Sequence, residues 1–538
     1  MLTNIKGDIY GGITAAVVAL PLALAFGVSS GAGPIAGLYG AICVGLFASL
    51  LGGTSAQISG PTGPMTVVMA AIFTQYTAAD PQSGPIIAFT IVIMGGAIQI
   101  LFGLLRIGRY IALVPIPVVS GFMSGIGVII ILLQLGPLLG HAPSASPINA
   151  LKSVTDIVTN PLMGPAILGL LGMVIVFFMP KNWNKIFPSP LVALIVGTLC
   201  YLIFLQDYDV PILGEIPSGL PSLQMPVIHW ELFSSMLISA ATLALLGSID
   251  SLLTSLVADN ITRTHHHSDK ELIGQGVGNM VAGVLGGLPG AGATMRTVIN
   301  VKAGGRTPLS GVVHAIILLA IVLGASGFAE KIPHAVLAAI LIKVGFDIID
   351  WDYFSQLMNA PKPGVMIMII VLLITVFIDL IVAVGTGMII ASFVLMQRMA
   401  KLQMEAAQLS RSGDETKYFN SEEKQILDDA KGKIVVYQLS GALSFPAAKD
   451  MVKRISYVDH YDTLILDMTN VSHVDYTSSR AIKDIIENEC EDHHEIFLSG
   501  ASSLVLDTLR TQKALNNIPE HHIFNQRLDA LKGARKTE

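Results

Sequence analysis

From residue 10 to residue 398 the chain is a succession of apolar stretches of membrane-crossing length, and this restricts its fold more than any single motif does. A bilayer core of about 30 Å takes roughly 20 apolar residues as a helix. Segments in that size range, some short or broken, lie near 10–29, 35–52, 61–77, 86–105, 112–138, 163–179, 188–205, 231–257, 272–287, 293–303, 308–327, 334–347, 364–380 and 382–398. Only 13% of all residues are charged, against about 25% in soluble proteins. The expected fold is an α-helical polytopic membrane protein of fourteen segments. The net charge of −6 is unevenly spread, and no basic stripe or aromatic platform points to nucleic acid. Cys43, Cys200 and Cys490 have neither disulfide-framework nor metal spacing, so no cofactor is expected from them. Lys6 precedes the first run without an early small-residue cleavage site, so that run reads as a span rather than a signal peptide.

Two of the fourteen segments are interrupted. Ile58-Ser-Gly-Pro-Thr-Gly-Pro-Met-Thr66 opens the third, and Leu288-Pro-Gly-Ala-Gly-Ala-Thr-Met-Arg-Thr297 opens the tenth. Third and tenth are equivalent positions in two halves of seven. Because seven is odd, the second half enters the bilayer upside down, as an inverted repeat. Loop charges agree. With the N-terminus in the cytoplasm, the inner side holds Arg106, Arg109, Lys181, Lys185, Arg263, Lys270, Lys302, Arg306, Lys362, Arg398 and Lys401. Outer loops 78–85 and 206–230 hold no Lys or Arg, and the second carries Asp207, Asp209 and Glu215; Lys152 and Lys331 are exceptions.

Beyond Lys401 the composition turns polar. Residues 402–432 read as a helical linker, and 433–538 as a small cytoplasmic α/β domain. Its strands are expected at 433–439, 463–467 and 495–498, and its helices at 446–455 and 477–488.

Asp250 carries the most chemistry. An acid at mid-membrane costs about 2.5–3.5 kcal/mol on insertion scales, so it usually has a function. Thr254, four residues on, shares its helical face. Together they suit a small hard cation such as Na⁺; alternatively Asp250 carries a proton, or pairs with Arg296. The two breaks supply a complementary feature, since helices starting near Gly63 and Ala293 would aim two sets of free N–H groups at one point and hold an anion there. Thr62 and Thr294 are expected to cap these starts. Arg296 either adds a positive charge beside the anion, neutralises Asp250, or reaches an aqueous vestibule. Pro21 interrupts the first span, where Phe26 faces the cavity or packs. His265-His-His267 reads as a solvated loop.

The chain resembles the sulfate permease (SulP) family of anion transporters along essentially its whole length. The resemblance rests on Gly11-Gly-Ile-Thr-Ala-Ala-Val-Val-Ala-Leu-Pro21, Gly60-Pro-Thr-Gly-Pro64 and Gly304-Gly-Arg-Thr-Pro-Leu-Ser-Gly311. Leu466-Asp-Met-Thr-Asn-Val-Ser-His-Val-Asp-Tyr-Thr-Ser-Ser479 resembles the strand-to-helix turn of a STAS domain, with Thr477 at its phosphorylation position; phosphorylation is not expected here. Within the family the chain is most similar to the Na⁺-dependent bicarbonate transporters of cyanobacteria. The resemblance implies a Na⁺ site at Asp250, Thr254, Gly292, Ala293 and Thr294. It implies an anion site at Ala23, Phe26, Thr62, Ala293 and Thr294, with Arg296 beside it. It also implies a homodimer in the bacterial inner membrane. Arg296 departs from the bicarbonate transporters and matches many other members.

Na⁺:bicarbonate symport is therefore the expected function. Proton-coupled transport of sulfate or a dicarboxylate is the alternative within the same fold, and Arg296 favours it. An anion channel would need a charged ring that is not evident. An enzyme would need a nucleophile–base pair, and the STAS region shows none.

Overall fold

The computed structural model describes residues 4–537 except 112–113, 145, 181–182, 184–186, 215–222, 325–329, 379, 416–418 and 444. Lys181, Lys185 and Glu215 lie outside the described residues. The chain divides into two units, Met1–Met388 and Ile389–Glu538.

A helix lies in each of the fourteen apolar segments. They are α1 (Ile5–Ser29), α2 (Pro34–Leu51), α3 (Gly63–Ala79), α4 (Gly84–Leu104), α5 (Ile116–Leu138), α6 (Met163–Phe178), α7 (Ser189–Phe204), α8 (Phe233–Thr262), α9 (Ser268–Val284), α10 (Thr294–Lys302), α11 (Pro308–Gly324), α12 (His334–Ile348), α13 (Lys362–Phe377) and α14 (Leu380–Ala406). Among the described residues, by length and composition, six stretches can cross a membrane singly: α1, α2, α4, α5, Trp230–Thr262 and Val382–Gln403. A seventh candidate pairs Pro147–Thr159 with α6 across a bend of 108°. α1 continues through Pro21 as one helix.

Helices α1–α4 and α8–α11 pack as one bundle, and α5–α7 pack with α12 and α13 as another. The pairings repeat with an offset of seven. α1 packs on α11 and α4 on α8; α2 packs on α11 and α4 on α9; α6 packs on α12 and α5 on α13. Exchanging the halves maps each partner pair onto the other. Small residues allow the close crossings that membrane helices need in the absence of a hydrophobic drive. At the α4–α9 crossing, a Cβ on Gly96 would come within 2.5 Å of the Gly276 carbonyl oxygen, and one on Gly276 within 2.5 Å of the Gly96 carbonyl oxygen. The bundles meet where Gly63, at the start of α3, faces the Cδ1 methyls of Ile130 on α5 and Ile348 on α12.

The second unit is built on a five-stranded sheet in the order β3 (Gln408–Ser410), β4 (Ile434–Leu443), β5 (Thr463–Val474), β6 (Glu495–Ser499), β7 (Ile523–Phe524). β3 runs antiparallel to β4, and the other neighbours are parallel. Apolar runs such as Ile434-Val-Val-Tyr437 and Leu464-Ile-Leu466 fit a sheet buried on both faces. Residues 402–432, read from sequence as a linker, supply edge strand β3 and helix α15 (Ser421–Asp429) to this fold. The strand is only three residues long, Gln408-Leu-Ser410, too short for an alternation to announce it.

Helix α15 begins with a capping box. Asn420 Oδ1 accepts from the Glu423 N–H at 2.8 Å, and Glu423 Oε2 accepts from the Asn420 N–H at 2.8 Å. Glu423 also pairs with Arg527 at 3.0 Å, and Arg527 Nη1 reaches Asp467 Oδ2 at 3.0 Å. Arg527 thus ties the C-terminal helix α19 (Arg527–Thr537) to α15 and to the centre of the sheet; α16 (Phe445–Ile455), α17 (Tyr476–Glu491) and α18 (Ser503–Thr511) complete the unit. Asp467 is fully buried, so removing its partner leaves an uncompensated charge. Arg527→Ala is expected to cost this unit about 3–5 kcal/mol. An earlier denaturant transition in the full-length protein checks this, and an unchanged midpoint would show that the network is dispensable.

Candidate ion-binding site

The two breaks meet. Their Gly/Pro content prevents helix continuation, and each instead forms a two-residue strand: β1 (Ser59–Gly60) and β2 (Ala291–Gly292) pair antiparallel, Ser59 opposite Gly292 and Gly60 opposite Ala291. The Ala293 N–H extends the ladder to the Ile58 carbonyl at 2.9 Å. α3 and α10 leave from this junction. Thr62 and Ala293 occupy the N-cap positions, but neither supplies a side-chain cap. The expected capping by Thr62 and Thr294 is therefore corrected. Thr294 is the first helical residue, and its hydroxyl lies 2.8 Å from that of Thr254. The Thr62 backbone is extended, and its buried hydroxyl faces Asp250 without reaching hydrogen-bonding geometry. No side chain caps either start, so the first-turn N–H groups keep their partial positive charge for a ligand.

α8 presents the oxygen atoms. Thr254 Oγ1 donates to the Gly292 carbonyl at 3.0 Å, and Ser251 Oγ accepts from the Gly292 N–H at 3.0 Å. Asp250, one turn before Thr254, is 7% exposed, and its Oδ2 has no hydrogen-bond partner among the described residues. Asp250, Thr254, Gly292 and Thr294 thus come together; Ala293 follows in the same strand-to-helix turn. Thr294 is exposed, whereas Thr62, Thr254 and Ala293 are buried.

Arg296, one turn into α10, does not reach an aqueous surface. It is buried, and its Nη2 donates to the Pro61 carbonyl at 2.6 Å. Among the described residues it forms no ion pair, and it acts on Asp250 only through the field of its charge. Its guanidinium sits against Gly60, where a Cβ would lie 2.8 Å from Nη1 and φ is +152°. Ala23 and Phe26 are buried in α1, which packs on both α3 and α10. No polar contact distinguishes them.

The sequence reading missed the supports of the breaks. Glu271 is buried at the start of α9 without a cation beside it among the described residues. Its Oε2 accepts from the Gly53 and Thr54 N–H groups at 2.8 and 2.9 Å, and its Oε1 from the amides of Gln57 and Gln275, both at 2.8 Å. Gln275 also donates to Ser59 Oγ at 2.6 Å, and Ser255 on α8 donates to Gln57 Oε1 at 3.0 Å. Asn279 holds the second break: its amide donates to the Gly290 carbonyl at 3.0 Å, and its Oδ1 accepts from the Gly290 N–H at 2.7 Å. Glu271, Gln275 and Asn279 recur every four residues, so they share one helix face. That polar stripe in an apolar segment was the available signal. Asp8 plays a similar part for the 304–311 loop, accepting from the Arg306 and Thr307 N–H groups at 2.7 and 2.9 Å. In the histidine tract, His265 and His267 are exposed, but His266 is held 2.7 Å from Asp259; no metal-ligand cluster occurs among the described residues.

A model described as the sulfate permease family matches residues 5–371. The chain belongs to the sulfate permease family. A STAS domain model matches residues 425–530, within the second unit. The chain is 45% identical over 532 residues to the bicarbonate transporter BicA of Synechocystis, covering 99% of this chain and 94% of that protein. The solved transmembrane domain of a cyanobacterial bicarbonate transporter BicA is 51% identical, with a TM-score of 0.67, and the match covers 72% of this chain and 98% of that one. Murine Slc26a9, an anion transporter solved in an inward-facing state, gives a TM-score of 0.83 at 19% identity over 100% of this chain and 92% of its own; that likeness is one of fold. The protein is accordingly a membrane transporter of anions and not an enzyme.

Proposed function

We propose that this sulfate permease carries bicarbonate together with Na⁺. The observation that carries the reading is the buried Asp250 carboxylate, free of an ion pair among the described residues, one helical turn from Thr254 at the junction of two uncapped helix starts. The oxygens gathered there are a carboxylate, two hydroxyls and the Gly292 carbonyl, and such hard ligands suit a hard cation. Thr62, Ala293 and the first-turn N–H groups of α3 and α10 hold the anion, with Ala23 and Phe26 forming the apolar wall from α1. The Asp250 charge offsets that of Arg296, and the bound Na⁺ then offsets that of bicarbonate. One Na⁺ with one bicarbonate is electroneutral, so a tenfold Na⁺ gradient supplies about 1.4 kcal/mol per cycle. The similarity to proteins named bicarbonate transporters supports the choice of anion. The fourteen helices span a plasma membrane as two inverted halves, with the N-terminus and STAS domain in the cytoplasm, and the protein works as a homodimer.

Arg296 favours a second reading, proton-coupled transport of sulfate or a dicarboxylate, because a buried guanidinium beside the first break suits a dianion. Uptake of labelled bicarbonate and labelled sulfate into liposomes, with and without an inward Na⁺ gradient and with pH controls, separates the two. Saturable, Na⁺-requiring bicarbonate uptake is expected. Sulfate uptake that ignores Na⁺ and follows a proton gradient would replace the first reading with the second, and linear unsaturable flux would indicate a channel.

A further inference from the structure

Behind the first break lies a group of buried polar atoms that nothing in the ion site uses. His314 on α11 is fully buried, and neither Nδ1 nor Nε2 has a hydrogen-bond partner among the described residues. Ser49 Oγ on α2 and Gln275 Oε1 on α9 are likewise buried and unpartnered. Contacts through Ser59 and two facing glycines bring the three side chains into one neighbourhood. Gly45 and Ser49 are one turn apart on α2, and Gly311 and His314 are one turn apart on α11. A Cβ on Gly45 would lie 3.3 Å from His314 Cδ2 and 3.2 Å from the Ser59 carbonyl oxygen, and Gly311 abuts Ser49 Oγ. The Gln275 amide donates to Ser59 Oγ at 2.6 Å, which leaves its Oε1 as the free end. The Arg296 guanidinium is near enough for its charge to act on the imidazole.

Buried polar groups are nearly always hydrogen-bonded, because an orphan loses its hydration without replacement. Four orphan atoms on three helices near Ser59 form the polar surroundings in which a buried water makes its usual two to four bonds. We infer that ordered water occupies the space between α2, α9 and α11 behind Ser59, and that His314 acts through it as a positioning residue for the first break and for Arg296. His314 does not touch the transported ions. Water donates to its unprotonated ring nitrogen, accepts from the protonated one, and passes hydrogen bonds to Gln275 Oε1, Ser49 Oγ and the Ser59 carbonyl. The break is then held from one side by Glu271 and Gln275 and from the other by water on His314. The inference rests on reading the two breaks as the anion site.

Full-length protein in lipid, solved at a resolution that shows ordered water, tests the site without any substrate. Wild type should show density within hydrogen-bonding distance of a His314 nitrogen and of Gln275, Ser49 or the Ser59 carbonyl. An empty space there overturns the inference. Anion uptake by variants tests the role, with whichever anion wild type carries, so failure of the bicarbonate reading remains a separate result. His314→Leu fills the space without hydrogen bonds and should raise the anion KM roughly three- to tenfold, in line with one lost net hydrogen bond. His314→Gln can still bond water and should stay within about twofold of wild type. A His314→Leu protein with unchanged KM shows that the ring only fills space. Should His314→Leu not fold, the wild-type density and His314→Gln still decide.

Discussion

Gly290→Ala should abolish transport while leaving the protein inserted and folded. Gly290 lies at the tightest approach between the two breaks. A Cβ there would come within 2.5 Å of the Gly60 carbonyl carbon and 2.6 Å of its oxygen. Crowding a flexible side chain in a packed core costs about 1–3 kcal/mol, but here the opposing atoms are backbone and cannot rotate away. The ladder has only two residue pairs, so β1 and β2 must part for the methyl to fit. Asn279 grips Gly290 by both its N–H and its carbonyl and opposes movement on the other side. A displacement of about 1 Å between the helix starts is enough to cost a site about 100-fold. Gly324→Ala is the matched control, because among the described residues nothing lies within 4 Å of its added carbon. Uptake by both variants in liposomes, with thermal unfolding to verify folding, checks the expectation. Near-wild-type uptake by Gly290→Ala would mean that the breaks need not touch during transport.

Asp250→Asn should remove the stimulation of uptake by Na⁺. The substitution keeps the shape of the side chain but replaces its charge with a neutral amide whose N–H₂ repels a cation. Truncating one partner of a buried charge pair costs about 2–5 kcal/mol, which is roughly 30- to 4000-fold in cation affinity. Arg296 would remain buried with no carboxylate beside it, so the single variant should also lose thermal stability. Adding Arg296→Gln to Asp250→Asn should restore some of that stability without restoring Na⁺ dependence. Uptake against Na⁺ concentration, with melting curves for the single and double variants, separates these effects. Undiminished Na⁺ stimulation in Asp250→Asn would place the cation elsewhere in the protein.

The residues at the junction were readable because they break a rule of their surroundings: a carboxylate in an apolar span, and two Gly/Pro interruptions seven segments apart. The alternating strands and helices of the STAS domain were readable for the ordinary reason of period and composition. What stayed hidden depends on contacts between distant parts of the chain. Thr62 occupies the N-cap position that its place suggests, yet its hydroxyl turns towards Asp250, a choice made by α8 and not by local sequence. Glu271 resembles any acid at the start of a helix until the loop at Gly53 and Thr54 closes on it from more than 200 residues away. Whether Arg296 would reach water, pair with Asp250 or stay between them was likewise a question of packing. The Pro61 carbonyl, exposed by the break itself, supplies its acceptor.

The contact of Gly63 with Ile130 and Ile348 has a mechanical meaning. At that point α3 meets the other bundle through methyl tips, and dispersion contacts can be exchanged for similar ones as surfaces slide; elsewhere α1 packs on α12 and α7, and Gln134 on α5 donates to Ser29 Oγ on α1 at 3.1 Å. The breaks are different, since separating them strips the β1–β2 ladder and the Ala293-to-Ile58 bond. The junction of the breaks is thus held by directional bonds, whereas the Gly63 contact is not. Larger or smaller side chains at 130 and 348 are accordingly expected to change the rate of uptake more than the KM for the anion.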